Sequence, residues 1–253
     1  MQNLFNLDYA EDGHLLLEVL LHMGTLVSIF IVYRSEIRAM ISDGLDFLRK
    51  RSETDSGEPA VLTPPARTAV FVIIGTAPML IAVFFVGSIN RLFYLPGFVG
   101  FALLITGGLI FVSDRYINRG NKTEKTMTLA DALIIGVCQA VALIPGLSRS
   151  GTTISVGLAR GLSGSFAVRF SLLLSIPAVI GATILTLYMA IRDGVDFSLF
   201  FVYLAGAIVA AVVGFFSIQL IRRLVVKGRF GNFAYYCWGL GALTMILSLV
   251  VGE

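Results

Sequence analysis

Seven consecutive residues near the middle of the chain combine chemical groups that bind phosphate, and they lie within apolar sequence: Pro145-Gly146-Leu147-Ser148-Arg149-Ser150-Gly151. An arginine at bilayer depth is unfavourable unless it is paired or hydrated, so it marks a candidate functional site. A guanidinium group binds phosphate through two parallel hydrogen bonds, hydroxyls donate further bonds, and glycines let backbone N–H groups approach an anion. The segment therefore indicates a phosphate-binding loop. A plain polar turn is less favoured, because it would need neither the glycines nor the Ser-Arg-Ser core.

A second polar pair lies in the first apolar run, where Glu18 and His22 are four residues apart and share one helical face. Such a pair can activate a water, transfer a proton or hold a divalent cation. A structural interpretation stays open, since Glu18 near a helix N-terminus is stabilised by the helix dipole and His22 can be a hydrogen-bonded core residue. In combination with the phosphate-binding loop, the functional interpretation is favoured. Gln139, seven residues before Gly146, is a further polar candidate.

The composition is that of a membrane protein. Of the 253 residues, 57% are hydrophobic and 14% are charged, whereas soluble domains contain about a quarter charged residues. The net charge of +3 is small and scattered, which argues against nucleic-acid binding. Cys138 and Cys237 lie in apolar runs without metal-binding spacing. We therefore predict an all-α polytopic membrane protein.

Six apolar runs are long enough for transmembrane helices, at about 15–33, 69–87, 95–113, 167–191, 198–221 and 232–251. The region 129–161 instead has two shorter apolar limbs with the phosphate-binding loop between them. Basic residues are concentrated in three loops, 34–67, 114–128 and 222–231. The positive-inside rule places such loops on one face of the membrane, which requires region 129–161 to return to its starting side. The prediction is a re-entrant helix pair whose tip points towards the outer face.

Three motifs together resemble the undecaprenyl-diphosphate phosphatase family of bacterial inner membranes, the bacitracin-resistance type. The longest is QAVALIPGLSRSGTTI from Gln139 to Ile154, and it is supported by EVLLHMGT from Glu18 to Thr25 and FSLLLSIP from Phe170 to Pro177. The resemblance covers nearly the whole chain. It implies that the terminal phosphate of undecaprenyl diphosphate is removed in the cell inner membrane, which recycles the carrier lipid for cell-wall synthesis.

The resemblance also implies a fold of two inverted repeats, each consisting of a re-entrant helix pair followed by three spans. We expect a single integral membrane domain over 1–253, with repeats at about 15–113 and 129–251. The family's first re-entrant motif is glutamate-rich and ends in a Pro-Val-Ser-Ser-Thr-Gly-His type sequence, and the 14 residues before the first span do not match it. The expected architecture is therefore six transmembrane helices plus one re-entrant pair, with the first pair absent.

The residues and the resemblance together define a candidate site. Its expected catalytic residues are Arg149, Ser148, Glu18 and His22. Its expected substrate-binding residues are Gly146, Ser150, Gly151, Thr153 and Gln139. The resemblance implies a divalent cation, magnesium or calcium, although the sequence does not identify its ligands. Whether a loop hydroxyl or a water molecule attacks the phosphorus stays open.

The expected partners are a polyprenyl diphosphate lipid and the surrounding membrane lipids, with no nucleic acid, and a homodimer is left open. A rival hypothesis is a transporter or flippase that binds a phosphate-bearing polyprenyl lipid without cleaving it, because broken helices within the membrane are also typical of transporters. A phosphatase with a histidine nucleophile is disfavoured. Such sites need several basic and histidine residues, and the only histidines are His14 and His22.

Overall fold

A computed structural model describes residues 11–53, 62–117, 119–193 and 200–251. These residues form the helices α1 (Glu11–Val32), α2 (Arg34–Glu53), α3 (Pro64–Val83), α4 (Val86–Arg91), α5 (Pro96–Ile117), α6 (Leu129–Val141), α7 (Arg149–Ala159), α8 (Gly164–Asp193), α9 (Phe200–Val226) and α10 (Asn232–Val251). A short 3-10 turn, Leu92–Tyr94, precedes α5.

Five of these helices are long and apolar enough to cross a bilayer, namely α3, α5, α8, α9 and α10. The sixth predicted span corresponds to α1, which breaks at Tyr33 and is followed by α2. The prediction of an all-α polytopic membrane protein is therefore confirmed. The chain forms two compact units: one contains α1, α8 from Ser175 and α9 as far as Leu220, and the other contains the remaining described helices.

In the first unit, small residues bring α1 and α9 close together. The Ser28 hydroxyl of α1 donates to the Ala211 carbonyl oxygen of α9 at 2.7 Å. A side chain at Gly24 would meet the Ala207 carbonyl oxygen, and one at Gly214 would meet the Ser28 hydroxyl. Such close backbone approach is how small residues stabilise helix pairs in lipid, where the hydrophobic effect gives little drive for association.

In the second unit, α6 and α7 form a hairpin whose two ends meet. Asp131, in the first turn of α6, accepts hydrogen bonds from Lys122 Nζ at 2.9 Å and from Arg160 Nε, just after α7, at 2.8 Å. The backbone of Lys122 also pairs with Gly161 and Ser163, at 3.0 and 2.9 Å. The hairpin therefore returns to the side from which it starts, as the distribution of basic residues predicts.

The Asp131 carboxylate is fully buried at this base, outside the five candidate spans. Burial alone would raise the pKa of Asp131, but hydrogen bonds from Lys122, Thr128 and Arg160 outweigh it and lower the pKa to about 2. A carboxyl group whose pKa is lower in the folded state stabilises the fold fully above its unfolded pKa, about 3.9 for Asp. That stabilisation is lost as the pH falls from about 4 through about 2.

We therefore expect the melting temperature of the detergent-solubilised wild type to exceed that of Asp131→Asn at neutral pH. The two melting temperatures should converge as the pH falls from 4 to 2, because protonation removes the same charge that the substitution removes. A difference that persists unchanged at pH 2 would show that the ionised carboxylate does not stabilise the hairpin base.

The antiparallel helices α5 and α10 show a reciprocal contact pattern. A Cβ at Gly97 would meet Ser248, and one at Gly107 would meet Trp238; adding 141 to each residue number of the first pair gives the second. Gly100 and Gly241, also 141 residues apart, each face the other's carbonyl oxygen. This is the pattern expected of two helices related by a two-fold axis, as in inverted repeats. The repeat boundaries at about 15–113 and 129–251 stay predictions.

Candidate functional site

The tip of the α6–α7 hairpin rests against α5. Gly146 has a φ of 91°, in the left-handed region that favours glycine. A Cβ at this position would collide with the Val99 carbonyl oxygen and the Ala102 side chain of α5. Gly146 is therefore required by the shape of the loop and by its close approach to α5. Its predicted role in substrate binding stays a prediction.

Thr106 of α5 fixes the loop from the other side. Its side chain is fully buried, and its hydroxyl donates to the Gly146 carbonyl oxygen and accepts from the Ser148 backbone N–H, both at 3.1 Å. Sequence analysis did not identify this residue. A threonine in an apolar span ordinarily bonds to a carbonyl four residues earlier in its own helix, as Thr76 and Thr183 do, so no local signal distinguishes Thr106.

We expect Thr106→Val to lower both stability and activity. The isosteric change removes the hydroxyl and leaves two loop backbone groups unpartnered, at about 1–3 kcal/mol for each buried group. Thr106→Ser keeps the hydroxyl and is the matched control. The checks are the melting temperature and phosphate release by both variants. If valine behaved like serine in both measurements, the hydroxyl would not be positioning the loop.

The phosphate-binding loop ends at the N-terminus of α7. Ser148 is the N-cap, and its Oγ accepts the Gly151 backbone N–H at 3.2 Å. This bond uses a lone pair of the oxygen, so the Ser148 O–H remains a donor. Among the described residues, the backbone N–H groups of Arg149 and Ser150 have no hydrogen-bond acceptor. Free N–H groups and the positive end of the helix dipole together favour an anion at this point.

Arg149 is the first residue of α7 and its side chain is half-buried. In the part of the chain that the structure describes, no carboxylate lies within ion-pair distance of its guanidinium. By contrast, Arg160 is paired with Asp131 and Arg169 with Glu124. Arg149 therefore adds an uncompensated positive charge to a helix end that already favours anions, and two such features reinforce each other.

Two other predicted binding residues are buried inside the hairpin. The Thr153 hydroxyl donates to the Arg149 carbonyl oxygen at 3.0 Å, within α7. The Gln139 side chain is fully buried, and neither of its amide atoms has a partner among the described residues. The buried Thr152 hydroxyl, which sequence analysis did not select, is likewise without a partner there. Substrate contact by Thr153 and Gln139 stays a prediction.

The second polar pair lies on α1, in the first unit, whereas the loop lies in the second unit. Glu18 is exposed and His22 is half-buried. The His22 Nδ1 atom is enclosed and has no hydrogen-bond partner among the described residues. The alternative of a satisfied core histidine therefore lacks support at Nδ1. That this pair and Arg149 act on one substrate stays a prediction.

The described residues contain no group of three or more His, Cys, Asp or Glu side chains that could hold a metal ion. They therefore offer no cage made of protein ligands alone. Magnesium in phosphate-processing sites is commonly held by one or two carboxylates together with substrate phosphates. The exposed Glu18 carboxylate fits that smaller requirement, and the expected divalent cation stays a proposal.

Comparisons with known proteins agree with this geometry. The sequence profile of the family described as "Bacitracin resistance protein BacA" matches residues 1–243. An undecaprenyl-diphosphatase of Methanosphaera stadtmanae is 35% identical over 97% of this chain and 93% of its own length. Those of Carboxydothermus hydrogenoformans and Syntrophotalea carbinolica are 34% and 36% identical, over 98% and 95% of this chain and 87% and 86% of their own lengths.

The profile match spans most of the chain and includes both α1 and the hairpin that carries Arg149. The similarity to the three relatives is equally extensive and lies above 30% identity. This protein is a member of the BacA family of bacitracin resistance proteins.

Proposed function

We propose that this protein hydrolyses undecaprenyl diphosphate to undecaprenyl phosphate and inorganic phosphate, and so recycles the carrier lipid used in cell-wall synthesis. The observation that carries the proposal is the half-buried Arg149, which has no carboxylate partner among the described residues and lies beside free backbone N–H groups at the N-terminus of α7. The names and extensive similarity of the relatives support the identity of the lipid.

In the proposed mechanism, the Arg149 guanidinium and the N–H groups of Arg149 and Ser150 bind the diphosphate. They stabilise the negative charge that develops on the transferring phosphoryl group. The bond between the terminal phosphorus and the bridging oxygen breaks, and a new P–O bond forms to the attacking oxygen. The lipid leaves as undecaprenyl phosphate.

Two attacking groups remain open. A water molecule gives inorganic phosphate directly. Attack by the Ser148 or Ser150 hydroxyl gives a phosphoserine, which one water molecule then hydrolyses. Both routes consume one water and release one phosphate. Glu18 and His22 are the proposed proton acceptor and donor, since a carboxylate and an imidazole can accept a proton from the attacking oxygen near neutral pH.

Dependence on magnesium or calcium is part of the proposal. A divalent cation would neutralise charge on the diphosphate, with Glu18 as its candidate protein ligand. Location in the bacterial inner membrane, with the hairpin tip towards the outer face, is proposed from the positive-inside distribution of the basic loops.

A transporter for a phosphate-bearing polyprenyl lipid is the second candidate. The specific observation in its favour is the hairpin itself, because paired short helices that end at a phosphate-binding point are also used for recognition without cleavage. Reconstitution of the purified protein in liposomes containing undecaprenyl diphosphate separates the two, with phosphate release and lipid translocation followed in parallel. Translocation without phosphate release, in the presence of magnesium or calcium, would overturn the phosphatase proposal.

A further inference from the structure

An apolar groove of about 320 Å3 runs between α5 and α7 in the second unit. Its lining includes Ile105, Gly108 and Val112 of α5 and Val156 and Ala159 of α7. Ile105 and Val112 are 43% and 46% exposed, so the groove opens at the protein surface. Because α5 is a candidate membrane span, that surface faces lipid. The volume falls in the range of small-molecule binding pockets.

The groove begins at the level of the phosphate-binding loop. Thr106 of α5 bonds to Gly146 and Ser148, and four residues later Ile110 lies against Gly151. The two helices therefore run parallel and in step from the loop onward. Ile105 is level with the loop, and Tyr116, at the other end of the groove, lies about 16 Å further along the helix axis.

Gly108 keeps the groove open. A Cβ at Gly108 would have no neighbour within 4 Å, whereas one at the adjacent Gly107 would collide with Trp238 of α10. Gly107 is thus explained by helix packing and Gly108 is not. A helix-interior glycine is unfavourable by about 1 kcal/mol relative to alanine, and the space that Gly108 leaves is part of the groove lining.

We propose that this groove binds the isoprenoid units of the lipid that are nearest to the diphosphate, an assignment that rests on the proposed function. With the diphosphate at Arg149, the attached hydrocarbon must leave the polar loop along an apolar surface that is open to the bilayer. The groove is such a surface, it starts at the level of the loop, and α7 connects both sites. Gly108 determines how deeply the isoprenoid chain is bound.

Photocrosslinking tests the assignment independently of catalysis. The probe is undecaprenyl phosphate with a diazirine in the isoprenoid unit next to the phosphate, and labelled peptides are mapped by mass spectrometry. We expect labelling within residues 105–116 and 155–159 of the wild type. Gly108→Leu should reduce it at least fivefold, because leucine fills the groove. Gly239→Leu of α10, where a Cβ also has no neighbour within 4 Å, should leave it unchanged.

Ala159→Leu, on the α7 side of the groove, is the second variant and gives the same test should Gly108→Leu fail to fold. Labelling outside the groove, or labelling that neither leucine variant reduces, would overturn the assignment and leave the groove to ordinary bilayer lipid. Phosphate release by the wild type is measured on the same preparation. Its absence would refute the proposed function, while the labelling pattern still reports on the groove.

Discussion

Arg149→Ala is expected to lower kcat/KM for phosphate release from undecaprenyl diphosphate by at least about a hundredfold, the usual effect of removing one group that stabilises transition-state charge. The guanidinium is half-buried and has no carboxylate partner among the described residues, so its removal breaks no ion pair seen there. The melting temperature should therefore stay close to that of the wild type. Phosphate release and thermal unfolding of the purified variant check the two parts.

Two further variants make the result specific. Arg149→Lys keeps the charge but loses the planar pair of donors, so we expect activity between those of the wild type and the alanine variant. Arg119→Ala removes an exposed arginine of the basic loop and should leave activity unchanged. Wild-type activity of Arg149→Ala would mean that this arginine does not bind the transferring phosphate.

Gly136→Ala is expected to produce the largest loss of stability of any variant considered. A Cβ at Gly136 would overlap the backbone of Gly75, because α3 and α6 meet there in backbone contact. Forcing extra volume into a packed interface is destabilising by about 1–3 kcal/mol or more, and here the opposing atoms are backbone rather than a flexible side chain. We expect a lower melting temperature in detergent and a lower yield of monodisperse protein.

Gly181→Ala of α8 is the matched control, since a Cβ there has no neighbour within 4 Å. Alanine is the better helix former, so this variant should be unchanged or slightly more stable. Equal melting temperatures for Gly136→Ala and Gly181→Ala would refute the close approach of α3 and α6.

The sequence was sufficient to predict the hairpin and its phosphate-binding end. Arginine in apolar sequence is rare enough to be conspicuous, and the basic loops determine the parity of the chain through the membrane. The contacts of Asp131 with Lys122 and Arg160 then show the same return of the hairpin. The Ser148 cap is also a local feature, since serine commonly precedes the first turn of a helix.

The residues that hold the hairpin in place could not be predicted in this way. Thr106 and Gly75 lie in apolar spans far along the chain from the loop and from Gly136, and their importance comes from contacts between helices. Neither a threonine nor a glycine in a membrane helix announces such a partner by its spacing. Gly108 is similar, because its consequence is an unfilled space, and only the packing of α5 against α7 reveals one.

The most direct test of the central claim is the identity of the products that the purified, folded protein forms from undecaprenyl diphosphate, followed by 31P nuclear magnetic resonance with magnesium or calcium present. The proposed function predicts that inorganic phosphate and undecaprenyl phosphate appear in equal amounts, and that both disappear in Arg149→Ala. Undecaprenyl diphosphate that persists unchanged with the folded wild-type protein would contradict it.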